Sequence, residues 1–167
     1  MKIILGFLIT ALMFIGCNSK ATDVEVTPKL VVGKSLADLK LDDQHEKPYL
    51  LDKTTKKVIF AFSKDVGHKC NTFFETKKDS YLKDNNTIFV ADISGAPSLI
   101  RSMFILPGLK DFKHQVLIID DKVVANNFKA NQNVEKIVVV TLDNGIIKKI
   151  NSFDTIDGLD KEIKKDK

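Results

Sequence analysis

The chain has 167 residues and a formal net charge of +4, and its basic residues are almost all lysines because Arg101 is the only arginine. Proteins that bind nucleic acid usually cluster arginine and lysine on one face, with aromatic side chains among them. Here 26 basic residues are mixed with 22 acidic ones, which argues for a solvated surface and against a nucleic-acid partner. The length suits one ordinary domain with a core of its own.

The N-terminal seventeen residues have the composition of a bacterial secretory signal. Lys2 precedes an apolar run over residues 3–15, and the run ends at Gly16-Cys17 in the manner of a lipobox. We therefore expect residues 1–16 to be a lipoprotein signal peptide and Cys17 to become a lipidated N-terminus. Simple cleavage and an uncleaved anchor stay open as alternatives, although thirteen helical residues rise only about 20 Å against a hydrocarbon core of about 30 Å.

Lipid on Cys17 would place the protein in the bacterial cell envelope, on the inner or the outer membrane, with its domain in the periplasm or at the surface. Residues 17–29 are expected to form a flexible tether, and residues 30–167 to form the domain. Because lipidation would consume Cys17, Cys70 would be the only free thiol in an oxidising compartment. No disulfide within the chain is then expected.

Four short apolar runs predict strands that are buried on both faces of a sheet. They are rich in β-branched and aromatic residues and lie at 58–62, 87–91, 116–119 and 137–140. The pair Asn144-Gly145 favours a tight hairpin, because both of its residues tolerate the positive φ angles that the turn requires.

Segments with helical periodicity separate these runs. Cys70 shares one helical face with Phe73, Phe74 and Tyr81. After Pro97, a favoured first helical residue, the apolar pattern repeats, and its members are Leu99, Ile100, Met103 and Phe104.

Two further signals concern where the helices begin and end. We expect Pro107-Gly108 to end the second helix and Asp154 to cap a final helix. The inward residues of that final helix are predicted to be Ile156, Leu159 and Ile163. Strands that alternate with helices indicate an α/β fold.

The order strand, helix, strand, helix, strand, hairpin and helix resembles a thioredoxin-like domain of the larger kind found in peroxiredoxins and membrane-tethered thiol reductases. The resemblance covers residues 30–163, and the stretch 32–44 is similar to the N-terminal hairpin of that group. It implies a thioredoxin-like central sheet flanked by helices, with an N-terminal β extension and a C-terminal hairpin plus helix.

A narrower resemblance rests on the stretches 43–48 and 92–97 together with Phe104 and Pro107. These look like a small uncharacterised family of exported bacterial proteins, some of which carry the label FAD/FMN-containing dehydrogenase. The chain has no G-x-G-x-x-G motif after a strand, so we expect no flavin and no other cofactor.

Thioredoxin-like enzymes carry Cys-x-x-Cys after the first central strand, where a helix N-terminus lowers the pKa of the nucleophilic thiol. In the matching stretch, 62–70, Gly67 stands at the position of the nucleophilic cysteine and Cys70 at the position of its buried partner cysteine. The stretch 133–136, where the family keeps a cis-proline, contains no proline. These departures predict a domain without disulfide exchange. Gly67 and His68 would occupy an exposed turn before the helix, and Cys70 would pack one turn inside it.

Two chemical alternatives stay open at this point. Cys70 could act as a single-cysteine thiol peroxidase or reductase, although Ser63 and Gly67 replace the proline and threonine of the peroxiredoxin pattern. Asp65, His68 and Cys70 could instead handle copper or zinc, because soft metals prefer such ligands.

A binding surface is expected where the parallel strands end, because ligands of open α/β sheets bind beyond the carboxyl ends of the strands. The candidate residues at that edge are Asp65, Gly67, His68, Asp92, Ser94, Pro97 and Glu135. The sequence favours a lipid-anchored, redox-inactive thioredoxin-like module that binds an envelope protein or a small ligand, or that has a structural role in the envelope.

Overall fold

A computed structural model describes residues 25–165, so the predicted signal peptide and Cys17 lie outside the described residues. The described strands are β1 Lys40–Asp43, β2 Pro48–Leu50, β3 Lys57–Ala61, β4 Thr87–Asp92, β5 Leu117–Ile119, β6 Ile137–Asp143 and β7 Ile146–Phe153. They form one sheet in the order β2-β1-β5-β4-β3-β6-β7.

The centre of the sheet is parallel and its flanks are antiparallel. β4 lies between β3 and β5 and runs parallel to both, whereas β6 is antiparallel to β3 and β1 is antiparallel to β5. The four apolar runs of the sequence therefore lie side by side in one sheet, as predicted. Their continuous apolar character follows from this position, because both faces of the central strands are covered.

The described helices are α1 Lys64–Glu75, α2 Tyr81–Asp84, α3 Ser98–Ile100, α4 Leu106–Lys110, α5 Lys122–Lys129 and α6 Ile156–Lys164. A π-helical turn, Arg101–Ile105, joins α3 to α4. Within residues 25–165, no helix has both the length and the apolar character needed to cross a bilayer.

Side chains alternate between the two faces of β3 and fill two separate cores. Phe60 belongs to the first core and stacks on Phe128 of α5, with 5.4 Å between the ring centroids. Ile59 belongs to the second core, together with Phe74 of α1 and Leu159 of α6. Burying each side chain of this size stabilises the fold by about 1.5–3 kcal/mol.

The hairpin between β6 and β7 confirms the prediction made from Asn144-Gly145. Asn144 has φ 48° and Gly145 has φ 78°, as a two-residue turn of this kind requires. Gly145 is also constrained by space, because an added Cβ would lie 3.3 Å from Cβ of Ala37.

The N-terminal β extension begins later than predicted. The hairpin is formed by β1, which lies at the end of the stretch 32–44, and by β2, which lies beyond it. Most of that stretch instead lies along the β6–β7 hairpin, since Gly33 N–H donates to Ile147 O and Leu36 N–H donates to Gly145 O, both at 2.8 Å.

The cap of α6 was predicted one residue too early. Oγ1 of Thr155 accepts a hydrogen bond from Gly158 N at 3.2 Å and caps the helix. The carboxylate of Asp154 contacts Nζ of Lys136 at 3.1 Å instead.

The helical segment after Pro97 differs from the prediction in two ways. It continues through Pro107 to the end of α4 instead of stopping there. Leu106 N–H donates to Arg101 O, five residues back, so Pro107 falls in the first turn of the next helical segment, where its missing N–H costs little. The apolar face predicted by periodicity is exposed by 41–65%, and its members are Leu99, Ile100, Met103 and Phe104.

Candidate binding groove

A groove of about 470 Å³ lies at the carboxyl ends of β3 and β4, between α1 and the helical segment that ends in α4. Its lining residues are Ala61, Phe62, Ser63, Lys64, Gly67, His68, Asn71, Ala91, Asp92, Ile93, Gly95, Ala96, Ile105, Gly108, Leu109, Phe112 and Lys129. This is the edge at which ligands of open α/β sheets bind, so its lining residues are the candidates for contact with a ligand.

Two walls of the groove carry stripes of residues with the same spacing. α1 contributes Lys64, Gly67, His68 and Asn71, at positions i, i+3, i+4 and i+7. The facing wall contributes Ile105, Gly108, Leu109 and Phe112, again at i, i+3, i+4 and i+7. One wall is therefore polar and the other apolar, with a glycine at the second position of each stripe.

Small residues keep the groove open. Ala61 and Ala91 are paired neighbours on β3 and β4 and form its floor. A Cβ added to Gly108 would meet nothing within 4 Å, and one added to Gly67 would meet only Cβ of Ala61, at 4.0 Å.

Ser63 fixes the start of α1 at the mouth of the groove. Its backbone is extended (φ −123°, ψ 158°), and its Oγ accepts a hydrogen bond from Val66 N at 3.4 Å. An N-cap of this type stabilises a helix by about 1 kcal/mol. Gly67 and His68 therefore lie within the helix, which corrects the prediction that they form an exposed turn before it.

An ion pair with a buried carboxylate forms part of the lining of the groove. The Asp92 side chain is only 1% exposed, and its Oδ2 lies 2.5 Å from Nζ of Lys129 on α5. Oδ1 of Asp92 accepts a hydrogen bond from Ser94 N at 2.8 Å. Arg101 braces the same loop, because its Nη1 donates to Ala96 O at 2.9 Å and to Ser94 O at 3.3 Å.

A second buried polar pair lies beneath the α1 wall. Nε2 of His114 is 2.9 Å from Oδ1 of Asn71, and both residues are buried. The imidazole packs among the rings of Phe74, Phe89 and Phe112. Burial lowers the pKa of His114 to about 4, so the ring is neutral at pH 7 and its Nε2–H donates to Asn71.

Comparisons with known proteins found similar solved structures but no similar sequence family. No protein-family model matches the chain, and no curated protein matches it. Solved structures do: a peroxiredoxin-like protein from Aquifex aeolicus has a TM-score of 0.53 at 11% identity, covering 84% of this chain and 90% of that one. An exposed lipoprotein thioredoxin from Streptococcus pneumoniae has a TM-score of 0.52 at 17% identity, covering 76% and 98%.

The fold is thioredoxin-like. A peroxidoxin from Mycobacterium tuberculosis agrees, with a TM-score of 0.50 at 17% identity and coverage of 79% and 93%. At these identities the likeness establishes the fold alone, and the chemistry must be argued from the residues of this chain.

Cys70 is placed as a packing residue of this thioredoxin-like domain, as predicted from its spacing to Phe73 and Phe74. It is 0% exposed and lies in the second core with Val66 and Phe74. Burial raises the pKa of its thiol to about 12, and the nearby charge of Lys69 offsets only part of that rise. The reactive thiolate is therefore scarce at pH 7.

The metal alternative is not supported by the arrangement of its three residues. Asp65 and His68 are exposed on α1, while Cys70 faces the core on the other side of the helix. Across residues 25–165, no three His, Cys, Asp or Glu side chains come together in a group that could hold a metal ion.

The structure brings together three of the seven candidate binding residues, namely Gly67, His68 and Asp92. The others lie outside the lining: Asp65 is on the outward face of α1, Ser94 is buried under its loop, Pro97 is exposed before α3, and Glu135 is exposed before β6.

Sequence reasoning missed several lining residues that lie far apart in the chain. Asn71 could have been found as the continuation of the stripe through Lys64 and Gly67, because its spacing is helical. Lys129 and Phe112 gave no local signal, since tertiary packing alone brings them to the groove.

Proposed function

We propose that this protein is an exported, lipid-anchored binding protein whose thioredoxin-like domain holds its ligand in the groove without thiol chemistry. The observation that carries the proposal is the placement of Ser63 and Cys70. The helix N-terminus that activates a thiol in thioredoxin-like enzymes is capped here by Ser63, and Cys70 lies in the core with no exposed surface.

The polar groups of the groove support binding rather than catalysis. Asp92 is neutralised by Lys129, and Asn71 is held by neutral His114. A general acid or base needs a titratable group within hydrogen-bond reach of its substrate. His68 is such a group on the lining, but no hydrogen bond or ion pair joins its side chain to a second titratable side chain among residues 25–165.

A peroxidase acting through Cys70 is disfavoured by the same geometry. Peroxide must reach the sulfur, and the sulfur must be a thiolate. Burial of Cys70 blocks access to its sulfur. Burial also raises the pKa of the thiol, so that little thiolate is present at pH 7. We therefore do not adopt the single-cysteine alternative.

The test of redox inactivity uses fragment 18–167, which omits the predicted signal and Cys17. Every residue of the two cores lies between positions 30 and 163, so the fragment contains both cores complete. It should consume hydrogen peroxide no faster than free cysteine and should leave insulin disulfides unreduced beside a thioredoxin control. Consumption well above the rate of free cysteine would overturn the proposal.

Anchoring rests on the lipobox spacing of Gly16-Cys17 and has its own test. The intact mass of the mature full-length protein should equal the chain from Cys17 onward plus diacylglyceryl, with or without an N-acyl chain. Cys17→Ser should leave the precursor unprocessed or release the domain from membranes, while Cys70→Ser should leave processing unchanged. A mature N-terminus other than acylated Cys17 would contradict anchoring by lipid.

A further inference from the structure

We propose that the groove binds an amphiphilic carboxylate with one unbranched acyl chain, such as a medium-chain fatty acid. This inference deepens the proposed binding function and rests on it. It follows from the shape, the polarity and the charge of the lining.

The space in the groove suits a chain without bulky branches. The floor is formed by Ala61 and Ala91, and the walls are open at Gly67 and Gly108. A volume of about 470 Å³ lies within the roughly 300–1,000 Å³ typical of small-molecule pockets.

The apolar surface of the groove suits a methylene chain better than a peptide, because it offers few partners for peptide N–H and C=O groups. Its side chains include those of Phe62, Ile93, Ile105, Leu109 and Phe112. An extended peptide carries an N–H and a C=O group on each residue, and burying these without partners is costly. β3 and β4 cannot supply partners by strand addition, because both are paired on each side within the sheet.

The charge of the lining matches a single negative group. Lys64 and Lys129 contribute two positive charges and Asp92 contributes one negative charge, which leaves +1 before His68 is counted. Because Asp92 and Lys129 neutralise each other at 2.5 Å, the charge left for a ligand is that of Lys64, which is exposed at the rim.

A buried amide adds a specific donor for a carboxylate oxygen. Asn71 is 7% exposed and lines the groove. Its Oδ1 is occupied by His114, while its Nδ2 has no hydrogen-bond partner among residues 25–165. Because Asn71 is a lining residue, we infer that this N–H group donates to an acceptor that enters the groove beside α1.

The first experiment titrates fragment 18–167 with octanoate, decanoate and dodecanoate below their micelle concentrations and follows amide chemical shifts by NMR. Two added methylenes should raise the affinity roughly tenfold, given about 0.8 kcal/mol per buried methylene. Decanoate should bind at least tenfold more tightly than 1-decanol or decylamine. Equal binding of the three head groups, no saturable binding of any chain, or tighter binding of an extended apolar peptide would overturn the inference.

The second experiment locates the chain and the head group by substitution. Gly67→Leu fills the groove from a helical position that favours leucine over glycine, and it should weaken decanoate binding at least tenfold. Thr72→Leu adds the same side chain to an exposed position on α1 outside the lining and should leave binding unchanged. Decanoate binding that survives Gly67→Leu would place the ligand elsewhere and refute the assignment.

Lys64→Gln should weaken decanoate several-fold and leave 1-decanol unaffected, whereas Lys69→Gln, on the exposed face of α1, should change neither. An equal effect of the two lysine variants would refute the role of Lys64. Failure of this inference is distinguishable from failure of the proposed function. If the fragment binds no acyl chain but is also inert to peroxide, only the proposed ligand class is refuted.

Discussion

The ammonium nitrogen of Lys129 lies 2.5 Å from Oδ2 of Asp92, and this contact joins the last turn of α5 to the end of β4. Apart from this contact, Oδ2 has no hydrogen-bond partner among the described residues, and Oδ1 accepts a hydrogen bond from Ser94 N. Among residues 25–165, Lys129 is therefore the opposite charge that compensates the carboxylate. A charge taken out of water is tolerated only when such a partner is present.

Lys129→Met should therefore destabilise the domain by about 3 kcal/mol, the low end for a broken buried pair, since the Lys129 side chain is still 27% exposed. Adding Asp92→Asn should recover part of the loss, because no uncompensated carboxylate is then buried. Chemical denaturation measures both variants. Lys122→Met, at the exposed start of the same helix, should change stability by less than about 0.5 kcal/mol. Equal losses from Lys129→Met and Lys122→Met would show that the pair contributes nothing.

His114 should make the domain sensitive to acid. Burial lowers its pKa from the ordinary 6.5 to about 4, so the unfolded chain binds a proton at a pH where the folded protein does not. The stability contributed by neutral His114 is complete above pH 6.5 and is lost as pH falls from 6.5 to 4, by about 3 kcal/mol in all.

Measuring the free energy of unfolding at several pH values tests this prediction. His114→Gln should flatten the curve between pH 6.5 and 4 relative to the unsubstituted protein. His68→Gln removes an exposed histidine and should leave the slope as it was. Parallel curves for the unsubstituted protein and His114→Gln would contradict the account.

Substitutions at Cys70 should affect packing rather than function. Cys70→Ala should cost about 1 kcal/mol, of the order of a small cavity in a core. Cys70→Asp should cost several times more, because it buries an unpaired charge. Thermal or chemical unfolding gives both values, and Lys69→Ala on the exposed side serves as the control. A Cys70→Asp protein as stable as Cys70→Ala would show that the site is open to water.

The sheet was predictable because its signals are local. The continuous apolar runs at 87–91 and 137–140 match β4 and the start of β6, and Asn144-Gly145 forms the turn that its φ preferences require. Strand order was accessible only through the resemblance, because pairing between β3 and β6 joins residues about eighty positions apart.

The start of α1 was misplaced although its signal is present in the sequence. Ser63 followed by Asp65 in the first turn is a typical N-terminus, and Ser63 is the observed cap. Aligning Gly67 with the nucleophile of thiol enzymes moved the expected helix start by one turn. The capping signal of Ser63 located the start of the helix better than the alignment with the Cys-x-x-Cys position of thiol enzymes did.

The helical segment before β5 was misjudged for a different reason. Its sequence contains two apolar stripes, one through Leu99 and Met103 and one through Ile105 and Leu109, and only one of them can face the sheet. The structure buries the second, with Leu109 packed on Ile118 in a small third core. Periodicity reports that a helix is amphipathic, but it cannot choose between two apolar faces.

The groove could not be predicted as a unit. The stripe containing Gly67 and the stripe containing Gly108 are recognisable separately, but nothing local shows that they face each other. The same is true of the 2.9 Å contact between Asn71 and His114. Candidate binding residues taken from strand ends included only part of the lining, namely Gly67, His68 and Asp92.

The most direct test of the central claim is the alkylation rate of Cys70, the only cysteine of fragment 18–167. With iodoacetamide at pH 7, the folded fragment should react at least about a hundredfold more slowly than free cysteine, because burial blocks access and raises the thiol pKa to about 12. The rate should approach that of free cysteine in urea. Native labelling as fast as free cysteine would contradict a redox-inactive binding domain and would favour a single-cysteine enzyme.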